Sequence, residues 1–120
     1  MRSVLFVLTL LITSQLNAST IVLWKCELLD GKKIEEVKEI NSLWVKTVNS
    51  LGEYKVKSHV LEPIISADMN EFRYLDIYEN PIHWGQTRND IENDAVASID
   101  AQFDEVSKCN VTSLYESEES

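Results

Sequence analysis

Two histidines, two cysteines and three tryptophans are the side chains of this 120-residue sequence best suited to chemistry or to tight ligand contacts. His83 and Trp84 stand side by side just after Asn80-Pro81, where an imidazole and an indole at a helix start are able to line a pocket, with Tyr78 a short way upstream. Each has an ordinary reading too: Trp84 on a helix face is a usual core position, and His83, one residue earlier, points in another direction. His59 sits among Lys55 and Lys57 in an alternating segment and reads as a solvated strand residue. The two histidines share no ligand spacing, so no metal is expected. Serines are plentiful, but none lies in a G-x-S-x-G elbow and no nucleophile-base pair stands out, so no catalytic residue and no cofactor are assigned.

The compartment decides how Cys26 and Cys109 are read. Arg2 followed by the apolar run Val4 to Ile12 and a small residue at Ala18 has the form of an export signal over residues 1–18. That run is too short for a bilayer, which needs roughly 20 apolar residues, and no second one follows, so no membrane span is expected. The mature chain is expected to be exported, periplasmic or secreted, and in such a chain an even pair of cysteines forms a bridge. Cys-x-x-Cys spacing is absent, which argues against a redox role.

The elements that must position these residues follow from periodicity. Ile21 to Leu29 is β-branched and apolar, ends at Asp30-Gly31 and reads as a strand. Apolar residues at 34, 37, 40, 44, 48 and 51 have helical spacing, stopped by Gly52. Tyr54 to Leu61 alternates, with Tyr54, Val56 and Val60 on one side and Lys55, Lys57 and His59 on the other. Phe72 to Tyr78 returns as a third strand to close a hairpin. Asn80 caps a second helix with Pro81 at its first position, and Asn93-Asp94 breaks and re-caps it. Asn110 to Tyr115 is the last strand; Asn110-Val-Thr matches a glycosylation acceptor but is read as strand sequence.

The order β-α-β-β-α-β predicts an α+β, ferredoxin-like domain over residues 19–115, with a four-stranded antiparallel sheet and helices on one face. Residues 116–120 are left as an acidic tail. In that topology the first and last strands are neighbours, which brings Cys26 and Cys109 together. If the helices cover Leu75 and Ile77, then Tyr74, Asp76 and Tyr78 lie on the open face with His59, where a second copy would dock. Trp24 and Trp44 then belong to the core between first strand and first helix.

Charge narrows the partners. Lys and Arg number 11 against 20 Asp and Glu, a formal net of −9, and residues 1–18 contain only Arg2, so the remainder is more acidic still. Such a field repels phosphate backbones, and nucleic acid is not an expected partner.

Four segments carry a resemblance: W-K-C-E-L-L-D-G-K-K-I-E-E-V (Trp24 to Val37), N-S-L-W (Asn41 to Trp44), L-D-I-Y-E-N-P-I-H-W-G (Leu75 to Gly85) and F-D-E-V-S-K-C-N (Phe103 to Asn110). They resemble a group of small exported bacterial proteins, mainly marine, of unknown function. More distantly the chain is similar to the dimeric α/β-barrel superfamily, with its antibiotic-biosynthesis-type monooxygenases and haem-degrading enzymes. The resemblance implies a dimer. For the haem-degrading branch it implies an Asn on the first strand, an aromatic ending the third and a His on the second helix; Tyr78 and His83 correspond, but the first strand has no Asn. The reading that results is an exported, disulfide-bridged binding or interaction domain that pairs with itself and takes at most a small apolar ligand, without catalysis. The alternative is a cofactor-independent monooxygenase-type enzyme acting on a small aromatic or haem-like ligand in a pocket near Tyr78, His83 and Trp84.

Overall fold

A computed structural model describes residues 18–120, so the expected export segment lies, Ala18 apart, outside the described residues. Strand β1 (Ser19–Leu28) leads into helix α1 (Ile34–Leu51), then β2 (Lys57–Leu61), β3 (Glu71–Tyr78), α2 (Pro81–Asp90), α3 (Asp94–Val106) and β4 (Ser107–Ser117). Gly31, at φ 76°, supplies the left-handed residue of the turn that follows β1. Lys33 at the start of α1 has no acceptor to offer; the Glu36 carboxylate instead accepts from the Lys33 backbone N–H at 2.8 Å. Asn80 and Asn93 cap the next two helices as expected, their Oδ1 atoms accepting from His83 N and Ala95 N at 2.9 Å each.

The four strands form one antiparallel sheet in the order β2-β3-β1-β4, with the helices on one face. This is the ferredoxin-like arrangement expected from element order. β1 is central, pairing Val22 with Asp76 on one side and with Leu114 on the other. The β1–β4 register shifts at Lys25/Cys26: Lys25 faces Val111, yet Cys26 faces Cys109, leaving Asn110 as the extra residue of a bulge. The bulge matters because side chains alternate. Thr112 is on the helix side with Trp24, and without the extra residue Cys109 would fall on the opposite face from Cys26. With it, the Cys26–Cys109 disulfide closes across adjacent strands, linking positions 83 apart in sequence. β4 also runs through Glu116 and Ser117, assigned to a tail by sequence; they pair with Thr20 and Ser19 because β1 begins before its apolar run and offers unpaired backbone there.

One expectation is overturned. Phe72, Tyr74, Asp76 and Tyr78 are the buried face of β3, under the helices, whereas Leu75 and Ile77 are half-buried on the open side. Tyr74 and Asp76 are therefore not open-face or dimer residues. The cause is the pairing of β2 with β3, in which Lys57 faces Ile77 and His59 faces Leu75, so Leu75 and Ile77 share the wet side of the hairpin. Burying Phe72 and two tyrosines also removes more apolar surface from water than burying Leu75 and Ile77. His59 stays exposed on the open side.

The core has two parts. Cys26, Ile34, Val37, Phe72, Tyr74 and Val106 make one, and Val22, Val48, Val56, Tyr78 and Val96 the other, with Trp24 packed against both. The disulfide stands at the edge of the first part, with Cys26 fully buried and Cys109 exposed. A closed loop of this length removes on the order of 4 to 5 kcal/mol of unfolded-state entropy. Cys109→Ser is expected to lower unfolding stability by about 3 to 5 kcal/mol, read from urea midpoints at constant m-value. Equal midpoints for the variant and the oxidised parent would contradict this role.

Candidate functional site

Between the two halves of the core lies a cavity of about 370 Å³, within the size range of small-molecule sites. It forms where apolar packing is interrupted by polar side chains. Asp76, on the covered face of β3, is 6 % exposed, and Asn41, from the inner side of α1, is equally buried. Ser58 of β2 joins them: Asn41 Nδ2 donates to Ser58 Oγ at 3.0 Å, and Ser58 Oγ donates to Asp76 Oδ1 at 2.5 Å. The cross-strand pairing of Ser58 with Asp76 produces this contact, and the buried face of α1 brings Asn41, near the middle of the helix, over it.

Around this polar floor the walls are aromatic. Trp24 comes from β1, Trp44 from α1, Tyr74 and Tyr78 from β3, Trp84 from α2 and Phe103 from α3. Tyr74 packs edge-on against both Phe72 and Phe103, with ring centroids 5.1 and 5.4 Å away. Its buried hydroxyl has Ser107 as its polar neighbour, and Ser107 sends its own proton to the Phe103 carbonyl at 3.1 Å. Arg88, Asp100 and Asp104 stand at the more exposed part of the wall, and Cys109 brings the disulfide to it.

Electrostatics set the protonation of the floor. Burial pushes the Asp76 carboxyl above the ordinary carboxylate range, and hydrogen bonds from Ser58 and Trp24 oppose that rise without cancelling it. Burial likewise raises both tyrosines, Asp76 adding to the effect and Arg88 opposing it at Tyr78. Asp100 is raised by partial burial and by Asp104, with Arg88 pulling it down. Asp76 therefore holds its proton more firmly than a solvated carboxylate, and once ionised it is a stronger base.

The structure brings Tyr78 and Trp84 together on the cavity wall, but not His83. That imidazole stacks on Tyr54, centroids 3.7 Å apart, and its Nδ1 lies 3.4 Å from Glu79 Oε2. It ties the start of α2 to the segment before β2. Sequence reasoning placed Trp24 and Trp44 in the core and did not single out Asn41, Ser58, Asp100 or Asp104. One signal was available: Phe72 is in phase with the tyrosines and Arg73 with Leu75, which marks the aromatic face as the covered one. No group of His, Cys, Asp and Glu able to hold a metal ion exists among the described residues, and no helix there is long and apolar enough to cross a membrane.

Comparison by sequence finds no matching family model and no matching curated protein. Comparison by structure does find neighbours of like fold. SnoaB, a cofactor-independent oxygenase from Streptomyces nogalater, superposes with a TM-score of 0.62 at 8% identity, over 87% of this chain and 96% of that one. The fold is that of the dimeric ferredoxin-like proteins. A conserved protein of unknown function from Bacteroides thetaiotaomicron matches with a TM-score of 0.58 at 9% identity, over 83% of this chain and 98% of that one. A dimeric ferredoxin-like protein of unknown function from Thermobifida fusca matches at 0.52 and 8% identity, over 85% and 92%. At such identities the likeness establishes architecture, and the chemistry must come from the residues of this cavity.

The buried carboxyl has a consequence for stability. A group whose folded pKa is raised contributes stability that is complete below its unfolded pKa and is lost as pH rises through the folded one. Asp76→Asn, which keeps an acceptor for Ser58, is expected to gain stability relative to the parent as pH rises from below the ordinary carboxylate range to neutrality. Denaturation midpoints across that range check this, and a gap that does not vary with pH would show that Asp76 does not titrate in burial.

Proposed function

We propose that this chain is an exported domain that binds a small, flat aromatic molecule in the cavity between sheet and helices and works as a homodimer. The observation that carries the reading is the combination of six aromatic side chains with one buried, hydrogen-bonded carboxyl in a single enclosure. Aromatic walls gain most from stacking on a planar ligand, and Asp76 is placed to fix its orientation through a hydroxyl or N–H. The volume suits one to three fused rings, which favours such a ligand over a haem. Export is supported by the signal-like residues 1–18 and by the disulfide.

A second reading is favoured by the raised proton affinity of Asp76. Its ionised form is suited to draw a proton from a bound phenol or acidic C–H, and a carbanion-like aromatic is the species able to pass an electron to dioxygen without a cofactor. SnoaB, of like fold, is a cofactor-independent oxygenase. Oxygen-electrode assays with dihydroxynaphthalenes separate the readings: turnover lost in Asp76→Asn supports catalysis, whereas binding without oxygen uptake supports a binding module.

The test of the pocket is a titration of ¹⁵N-labelled protein with quinoline and 2-naphthol. The indole N–H signals of Trp24, Trp44 and Trp84 are expected to shift together, and Trp44→Ala to weaken binding by about tenfold, as loss of one stacking wall implies. Shifts confined to surface amides would dispose of the cavity as a binding site.

The dimer is supported by the open face, where Ile21 and Leu23 of β1 lie beside Leu75 and Ile77 of β3. Val111 and Tyr115 of β4, both about half exposed, extend that apolar surface. Leu75→Glu is expected to convert a two-chain species into one by light scattering at micromolar concentration, with the Cys26–Cys109 bridge intact. A parent already monomeric under those conditions would eliminate the dimer.

A further inference from the structure

Charge on the cavity wall is lopsided. Three carboxyls, Asp76, Asp100 and Asp104, face it from β3 and α3, against Arg88 as the one basic side chain on the wall among the described residues. The remaining surface is mostly aromatic, and the π-faces of those rings present negative potential to whatever stacks on them. Arg88 offsets the aspartates only in part: its charge lowers Asp100, but it forms no ion pair within 4 Å with any of the three among the described residues, and it is exposed. The Tyr74 hydroxyl is buried on the same wall, in a residue only 7 % exposed, with Ser107 as its polar neighbour.

We infer that the cavity selects an organic cation: an aromatic or aryl-alkyl amine, or a quaternary ring nitrogen, held between tryptophan faces with its charge toward Asp76 and the Asp100–Asp104 pair. The inference rests on the reading of this cavity as a ligand site and adds the sign of the ligand's charge. An anionic ligand would meet three carboxyls with a single distant counter-charge. A neutral aromatic would gain the stacking alone. A cation gains stacking, cation–π attraction and Coulomb attraction together, and it supplies the compensating charge that burial denies Asp76. The net charge of −9 over the whole chain draws a cation toward the mouth of the site as well.

Calorimetric titration of the parent protein at pH 8 with three bicyclic probes of like shape tests this: N-methylquinolinium, neutral quinoline and 2-naphthoate. N-methylquinolinium is expected to bind about tenfold more tightly than quinoline, and 2-naphthoate more weakly than either. Asp100→Asn/Asp104→Asn, at exposed helix positions, is expected to narrow the gap between cation and neutral probe while leaving quinoline binding within about twofold, and Asp76→Asn at the floor to weaken the cation more than it weakens quinoline. Quinoline binding as tightly as its methylated cation would overturn the charge preference and leave the pocket reading standing. If none of the three binds, both fall. A preference for the cation that persists unchanged in all the Asp variants would also overturn the inference, because the selectivity would then arise elsewhere.

Discussion

Strand β1 is hydrogen-bonded along both of its edges, and nearly every feature of the molecule depends on that double register. On one side it holds β3 so that Val22 lies across from Asp76 and Trp24 across from Tyr74. On the other it holds β4, with one extra residue at Asn110 to bring Cys109 opposite Cys26. A slip of one residue on either side would exchange the covered and open faces of a neighbour, because alternation along a strand has a period of two. The disulfide locks the β4 side against such a slip. In a domain of this size, where net stability is a small difference of large terms, a covalent link across neighbouring strands secures what the limited core cannot.

The core itself is divided. A small α+β domain gains most from one continuous apolar layer, yet here Asp76, Ser58 and Asn41 run through the middle as a hydrogen-bonded line. Burying such groups costs free energy even when they are paired, and the adjoining space is not filled by side chains. Three tryptophans, which are large enough to close it, instead form its walls. Structures surrender core packing in this way where function needs a cavity and an ionisable group together. The placement also explains the protonation behaviour of Asp76, because the hydrophobic halves on either side keep water from its carboxyl.

The opposite face of the sheet has a different character. Ile21, Leu23, Leu75 and Ile77 form its centre, with Lys57, His59 and Arg73 toward one side. Helices cover only the cavity side, so an apolar strip remains that no element among the described residues buries. Beyond it, Ile64 and Ile65 in the β2–β3 connection are almost fully exposed. The two faces thus differ: one encloses the cavity, the other leaves an apolar strip exposed.

Much of this could be read from the residues alone. Helical spacing defined α1 to its first and last residue, Asn80 and Asn93 marked the two later helix starts, and the strand order placed the cysteines as neighbours, since each rests on local chemistry or chain connectivity. What alternation could not decide was which side of β3 the helices would cover. A strand with tyrosines on one face and Leu and Ile on the other is amphipathic in neither direction by a wide margin. The decision came from β2, whose lysine and histidine share a side with Leu75 and Ile77, and from the greater area of the aromatic set. That single choice moved Tyr74 and Asp76 from a surface to the inside of a cavity, joined them to residues of every other element, and left His83 outside. A cavity assembled from four strands and three helices has no local sequence signature; it exists only once tertiary packing has chosen a face.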